Sequence, residues 1–124
     1  MCSRSKHGHG ERSRAESGLE YSNTWAAKLP AALPVYPRGA VQEAAGVAGD
    51  DCAMTVVNYA TPVEPEDVLV FYRGMAGKNG YSARYARDGE EHVLGGSKGK
   101  AAYVVYAHTL KNGITEVNLV TAGR

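Results

Sequence analysis

The sequence predicts an α+β domain: an antiparallel sheet of about five or six strands with one helix packed on one face, in the order β-β-α-β-β-β-β, behind a disordered polar N-terminal tail. Three observations carry that expectation. The best helical pattern lies in residues 65–76, which repeat apolar side chains at the three- and four-residue spacing of a helix face. Runs rich in Val, Thr and Tyr lie on both sides of that segment and are interrupted by Gly, Asn and Asp turn signals. The 124 residues make one domain and leave no room for a second full core.

Composition narrows the function classes. The chain is 44% hydrophobic and 22% charged, ordinary for a globular protein, and no apolar run approaches the roughly 20 residues that span a bilayer. Residues 1–18 carry four basic side chains, Arg4, Lys6, Arg12 and Arg14, against Glu11 and Glu16. The remainder carries ten basic against eleven acidic groups. That balance argues against nucleic acid as a partner, because such binding rests on clustered Lys and Arg.

Taken in order, residues 1–18 have no aliphatic side chain beyond Met1 and Ala15, too little apolar surface to offset the entropy of ordering them. They read as a disordered tether, with the domain occupying residues 19–124. The tail also lacks the apolar stretch of about 7 to 15 residues that an uncleaved export signal needs, so any such signal is expected to have been removed. Leu19, Tyr21, Trp25 and Leu29 supply the first apolar material for a core, with helix and strand both open there. Pro30, Pro34 and Pro37 then predict an extended strap.

From Ala40 the pattern becomes strand-like: AVQEAAGV, a turn at Gly49, Asp50 and Asp51, then CAMTVVNYA, together a hairpin. The helix starts at Pro65, which needs no N–H at the first helical position. Glu66 and Asp67 follow where the helix dipole favours negative charge, and Gly77 or Gly80 ends it. Beyond it come YSARYAR, a turn at Asp88 and Gly89, EHVLGG, a loop over residues 97–100, AAYVVYAHTL, the Asn112-Gly113 turn and ITEVNLVTA. In that last strand Glu116 and Asn118 share one face, Val117 and Leu119 the other. One face meets water and one the helix.

The run LPVYPRGAV followed by TPVEPEDVLVFYRGMAGKNGY resembles the layout of small, uncharacterised bacterial cell-envelope lipoproteins. Tyr36, Pro37, Pro65, Val68, Phe71, Tyr72, Gly80 and Tyr81 carry the likeness; Arg38 precedes Gly39 where those proteins place the glycine directly after the proline. The resemblance implies a lipid on Cys2, with Met1 an expression start and the tail a spacer holding the domain at the membrane on its periplasmic side. A lipid chain, a polar spacer and a few basic groups form a coherent tether.

Other candidate chemistry is weaker. Cys52 reads as a small buried hydrophobe; a bridge to Cys2, or a nucleophilic role beside His92 or His108, needs a proximity that spacing cannot supply. GGSKGK has Leu94 where a phosphate loop needs glycine and Ala101 where it needs Ser or Thr, so it reads as a hairpin with Lys98 and Lys100 solvated. His7 and His9 lack the ligand count of a structural zinc site. Asp88, Glu90, Glu91 and His92 fit a surface turn better than an acid/base or metal site. The eight tyrosines raise base stacking, but Tyr103 and Tyr106 belong to opposite faces of their strand.

The expectation is therefore a non-enzymatic, monomeric envelope module without a cofactor, binding another envelope component through its sheet or strap. A small-ligand carrier with a cavity lined by Met54, Met75 and tyrosines is the alternative. An enzyme using Cys52 or the Asp88 to His92 cluster is the third class.

Overall fold

The computed structural model describes residues 20–48 and 53–123; the expected tail, the turn at residues 49–51, Cys2 and Cys52 lie outside them. The described chain forms one antiparallel sheet of seven strands with a single α-helix, so the strand count exceeds the five or six expected and the fold is mostly sheet. The strands are β1 (Glu20–Tyr21), β2 (Ala40–Val47), β3 (Met54–Thr61), β4 (Arg84–Asp88), β5 (Glu91–Lys98), β6 (Ala101–Thr109) and β7 (Thr115–Ala122); the helix α1 is Pro65–Lys78. Their spatial order is β1-β2-β3-β7-β6-β5-β4. α1 thus carries the chain from the middle of the sheet to its far edge, and β4 to β7 return as a meander that closes against β3. The additional strand is β1, whose two residues pair with Gly46 and Ala45.

The segment left open between helix and strand becomes a 3-10 helix, Asn23–Lys28, whose N-terminus is capped by the Ser22 side chain. It seats Trp25 over Gly46, where an added Cβ would lie 2.3 Å from the indole. Glycine is required there by close approach. The strap is not uniformly extended: Leu33 N–H closes a turn on the Pro30 carbonyl at 2.9 Å, and Gly39 N–H closes another on Tyr36 at 2.7 Å. Pro37 sits at the second position of the latter, where its fixed φ is preset for a turn. Between them Leu33 reaches the core and is fully buried.

α1 begins at Pro65 with Glu66 and Asp67 in its first turn, as the sequence predicts. Gly77 stays inside the helix. Termination falls to Gly80, which takes φ +86 while Tyr81 N–H bonds the Ala76 carbonyl and Gly80 N–H bonds Gly77. These two bonds satisfy end carbonyls that would otherwise lack partners. Val68, Leu69, Tyr72 and Ala76 form the buried stripe, and Val70 on the outer side is 66% exposed.

Beneath the stripe lie Val57, Tyr59, Leu94, Tyr103, Val105, Val117 and Leu119. Each fully buried aliphatic or aromatic side chain contributes about 1.5–3 kcal/mol. Three tyrosines carry their hydroxyls into this core, and each finds a partner: Tyr59 and Tyr72 meet at 2.7 Å, Tyr72 donates to the Pro34 carbonyl at 2.6 Å, and Tyr103 donates to the Ser82 carbonyl at 2.9 Å. Burial pushes the Tyr59 phenol up to about 12 and raises that of Tyr72 further.

The hairpin turns differ in their limits from those the sequence suggests. Lys98 pairs with Ala101, so β5 runs through the segment expected as a loop and turns only at Gly99 and Lys100, with Gly99 at φ +59. β5 can continue because Gly96 has no Cβ: one built there would lie 1.8 Å from the Ser82 carbonyl oxygen crossing above. Asp88 pairs with Glu91, placing Gly89 and Glu90 at the centre of the preceding turn. The Asn112-Gly113 hairpin is a three-residue loop: Gly113 N–H bonds Leu110, Gly113 takes φ +87, and Leu110 N–H bonds Ile114.

Candidate functional site

The helix covers one face of the sheet. On the other face no described element packs over β3, β7, β6 and β5, and the side chains projecting there are mostly half-buried by their neighbours alone. Register aligns them in rows. One row is apolar: Ala45 on β2 faces Val56 on β3, which faces Val120 on β7, which faces Val104 on β6. The adjacent row sets Glu43 beside Asn58, Asn58 beside Asn118, Asn118 beside Tyr106 and Tyr106 beside Val93. A third places Ala60 beside Glu116 and Glu116 beside His108.

A β-bulge between Val41 and Glu43 makes the first alignment possible, since the extra residue shifts the alternation so that Ala45 joins the open face while Ala44 joins the core.

Polar groups in these rows form one continuous network across four strands. The Asn58 side-chain amide donates to Asn118 Oδ1 at 2.8 Å and to Glu116 Oε2 at 3.1 Å. Glu116 Oε1 lies 3.3 Å from His108 Nε2, and His108 Nδ1 lies 3.1 Å from Glu91 Oε2. A neutral imidazole has one N–H and can donate to only one of these carboxylates; the imidazolium donates to both. Beside the network, Tyr21, Glu43, Ala45, Val56, Asn58 and Asn118 line an open cleft of about 310 Å³. That volume is at the lower end for a small-molecule pocket.

Most sequence-level candidates do not converge. Asp88 and Glu91 are paired on the open side of the β4–β5 hairpin, whereas His92 points to the helix side, where it is 4% exposed, with Nδ1 2.8 Å from the Tyr85 hydroxyl and Nε2 3.9 Å from Glu66 Oε2. The expected Asp88 to His92 cluster is split by the sheet itself, because neighbouring residues on a strand face opposite ways. His92 and His108 likewise lie on opposite faces. Among the described residues, no group of three or more His, Cys, Asp or Glu is arranged to hold a metal ion. Lys98 is exposed, as expected, with its Nζ 5.6 Å from the Tyr81 ring centre. Tyr103 is buried and Tyr106 is 37% exposed, on opposite faces as predicted.

The cavity expected between helix and sheet loses its lining for the same reason. Met75 is on α1, but Met54 pairs with Ala122 on the open face, and Tyr59, Tyr72 and Tyr103 fill the space between. Sequence reasoning placed Glu116 and Asn118 on one face but missed Asn58, whose position in a β-rich run was the available signal. No protein family, curated protein or solved structure matches the chain.

Proposed function

We propose that this protein is a non-enzymatic binding module of the bacterial cell envelope, tethered by a lipid on Cys2 and presenting the open sheet face to another envelope protein on the periplasmic side. The observation that carries the binding role is the composition of that face: a valine row, Val56, Val120 and Val104, set against a preformed hydrogen-bonding network, Asn58, Asn118, Glu116, His108 and Glu91. Apolar area bordered by oriented polar groups is the surface chemistry of protein recognition. The same rows cross four strands, so backbone hydrogen bonds hold their geometry rather than loop conformation. The tether rests on Cys2 and the resemblance described above.

Photo-crosslinking in native membranes tests the face. Probes at Val104 and Val120 should yield the same crosslinked product, and Val56→Lys should abolish it, while a probe at the exposed helix position Val70 should yield none. Crosslinks from Val70 alone, or none from any position, would refute the reading. Mass spectrometry of the native N-terminus tests the tether separately. A diacylated or triacylated Cys2 supports it, and an unmodified Met-Cys start removes it.

A further inference from the structure

β4 is the last strand of the sheet, its outer edge bears no described neighbour, and all five of its residues are exposed. An edge of this kind offers unpaired N–H and C=O groups to another strand. Which groups they are follows from the inner side: Ser82 N–H bonds the Ser97 carbonyl at 2.9 Å, and the alternation continues with Arg84, Ala86 and Asp88 turned toward β5. Tyr85 and Arg87 therefore present their backbone groups outward.

We propose that this edge joins two copies of the chain, β4 pairing antiparallel with β4 of the second copy about a two-fold axis at Ala86. The backbone allows three symmetric registers, centred on residue 85, 86 or 87. Centring on Arg87 sets two guanidinium groups against each other. Centring on Tyr85 leaves both arginines opposite alanine, Arg84 facing Ala86 and Arg87 facing Ala83. Centring on Ala86 alone makes every pair complementary: Arg84 faces Asp88 of the second copy, twice, and Tyr85 faces Arg87 of the second copy, twice. In this register the outward Tyr85 and Arg87 form the hydrogen-bonded pairs, and the Arg84–Asp88 pairs occupy the closer non-hydrogen-bonded positions.

The intrachain neighbours of these charges support the assignment. Arg84 stands opposite Gly95, which has no side chain, and Asp88 stands opposite Glu91, a like charge. Neither Arg84 nor Asp88 makes a side-chain hydrogen bond or ion pair among the described residues. Pairing with a second copy gives each an opposite charge. Tyr85 is held by its hydroxyl on His92 while half its surface stays exposed, which leaves the ring available for the incoming guanidinium.

Paired residues of an antiparallel ladder point to one face, so both helices fall on one side and both open faces on the other. The dimer doubles the proposed binding face and replaces the monomer expected from sequence. A five-residue strand pair is a small interface, so the dimer is weak and salt-sensitive.

Analytical ultracentrifugation of the described domain within the full chain, from micromolar to millimolar concentration, tests the proposal. Wild type should shift from monomer to dimer, less so at high ionic strength. R84D and D88R should each weaken self-association by about tenfold or more, because each sets like charges opposite one another. Mixed in equal amounts the two variants should dimerise again, since one then supplies two carboxylates and the other two guanidinium groups. R87P, which removes an outward N–H together with the guanidinium placed opposite Tyr85, should also prevent association, with circular dichroism confirming that each variant is folded. A wild type monomeric throughout, single variants that dimerise as well as wild type, or a mixture that stays monomeric would each overturn the assignment.

Discussion

Removing the Tyr72 hydroxyl should cost more than removing that of Tyr59, although the two oxygens touch. A tyrosine hydroxyl has one proton. Tyr72 gives its proton to the Pro34 carbonyl, so the 2.7 Å contact between the two tyrosines is donated by Tyr59. Tyr72→Phe therefore strands two buried groups, the Tyr59 hydroxyl and the Pro34 carbonyl, at about 1–3 kcal/mol each, and a total of about 2–4 kcal/mol after local relaxation. Tyr59→Phe removes one donated bond and leaves Tyr72 on Pro34, at about 1 kcal/mol. In the double variant the second change removes a hydroxyl that Tyr72→Phe has already orphaned, so it should be neutral or slightly stabilising. Against a total stability of about 5–15 kcal/mol, these differences are well resolved by urea unfolding followed through the buried Trp25. Equal costs for the two single variants, or additivity within about 0.5 kcal/mol, would refute the proposed direction of the chain of hydrogen bonds.

The same pair predicts alkaline sensitivity. The folded phenols ionise above the ordinary value of 10, Tyr59 at about 12 and Tyr72 higher, because burial disfavours the phenolate. The unfolded chain thus loses protons first, and stability present below pH 10 should fall as pH rises toward 12, at a slope approaching about 1.4 kcal/mol per pH unit for each residue. Urea midpoints between pH 9 and 11 should show this, with a shallower slope in the double Phe variant. Thr61 Oγ1 is buried without a hydrogen-bond partner among the described residues, so Thr61→Val should stabilise by about 1 kcal/mol; a loss in thermal melting would mean that the hydroxyl is satisfied. Gly46→Ala should displace Trp25, shifting its fluorescence to the red and costing about 1–3 kcal/mol; unchanged emission would contradict the packing.

Helix limits and turns were legible in the sequence because their causes are local. Pro65, Glu66 and Asp67 specify a helix start within one turn, Gly80 supplies the left-handed residue that ends it, and Gly89, Gly99 and Gly113 mark reversals that need positive φ. Residue composition likewise identified β2 and β3 as strands, and alternation told the two faces of β7 apart.

What only the tertiary structure decided is which strands meet and what each face touches. The pairing of β7 with β3 brings Asn58 to Asn118 and Glu116, residues 60 and 58 positions away, and so joins it to the Glu116–His108 contact made across the β6–β7 hairpin. A period of two says that a strand has two sides, but it carries no information about cross-strand register, and so none about a network built from four strands. The bulge after Val41, the indole over Gly46 and the carbonyl over Gly96 are equally nonlocal. Local propensity is encoded over a few residues, whereas a surface assembled by pairing is specified by the whole sheet at once.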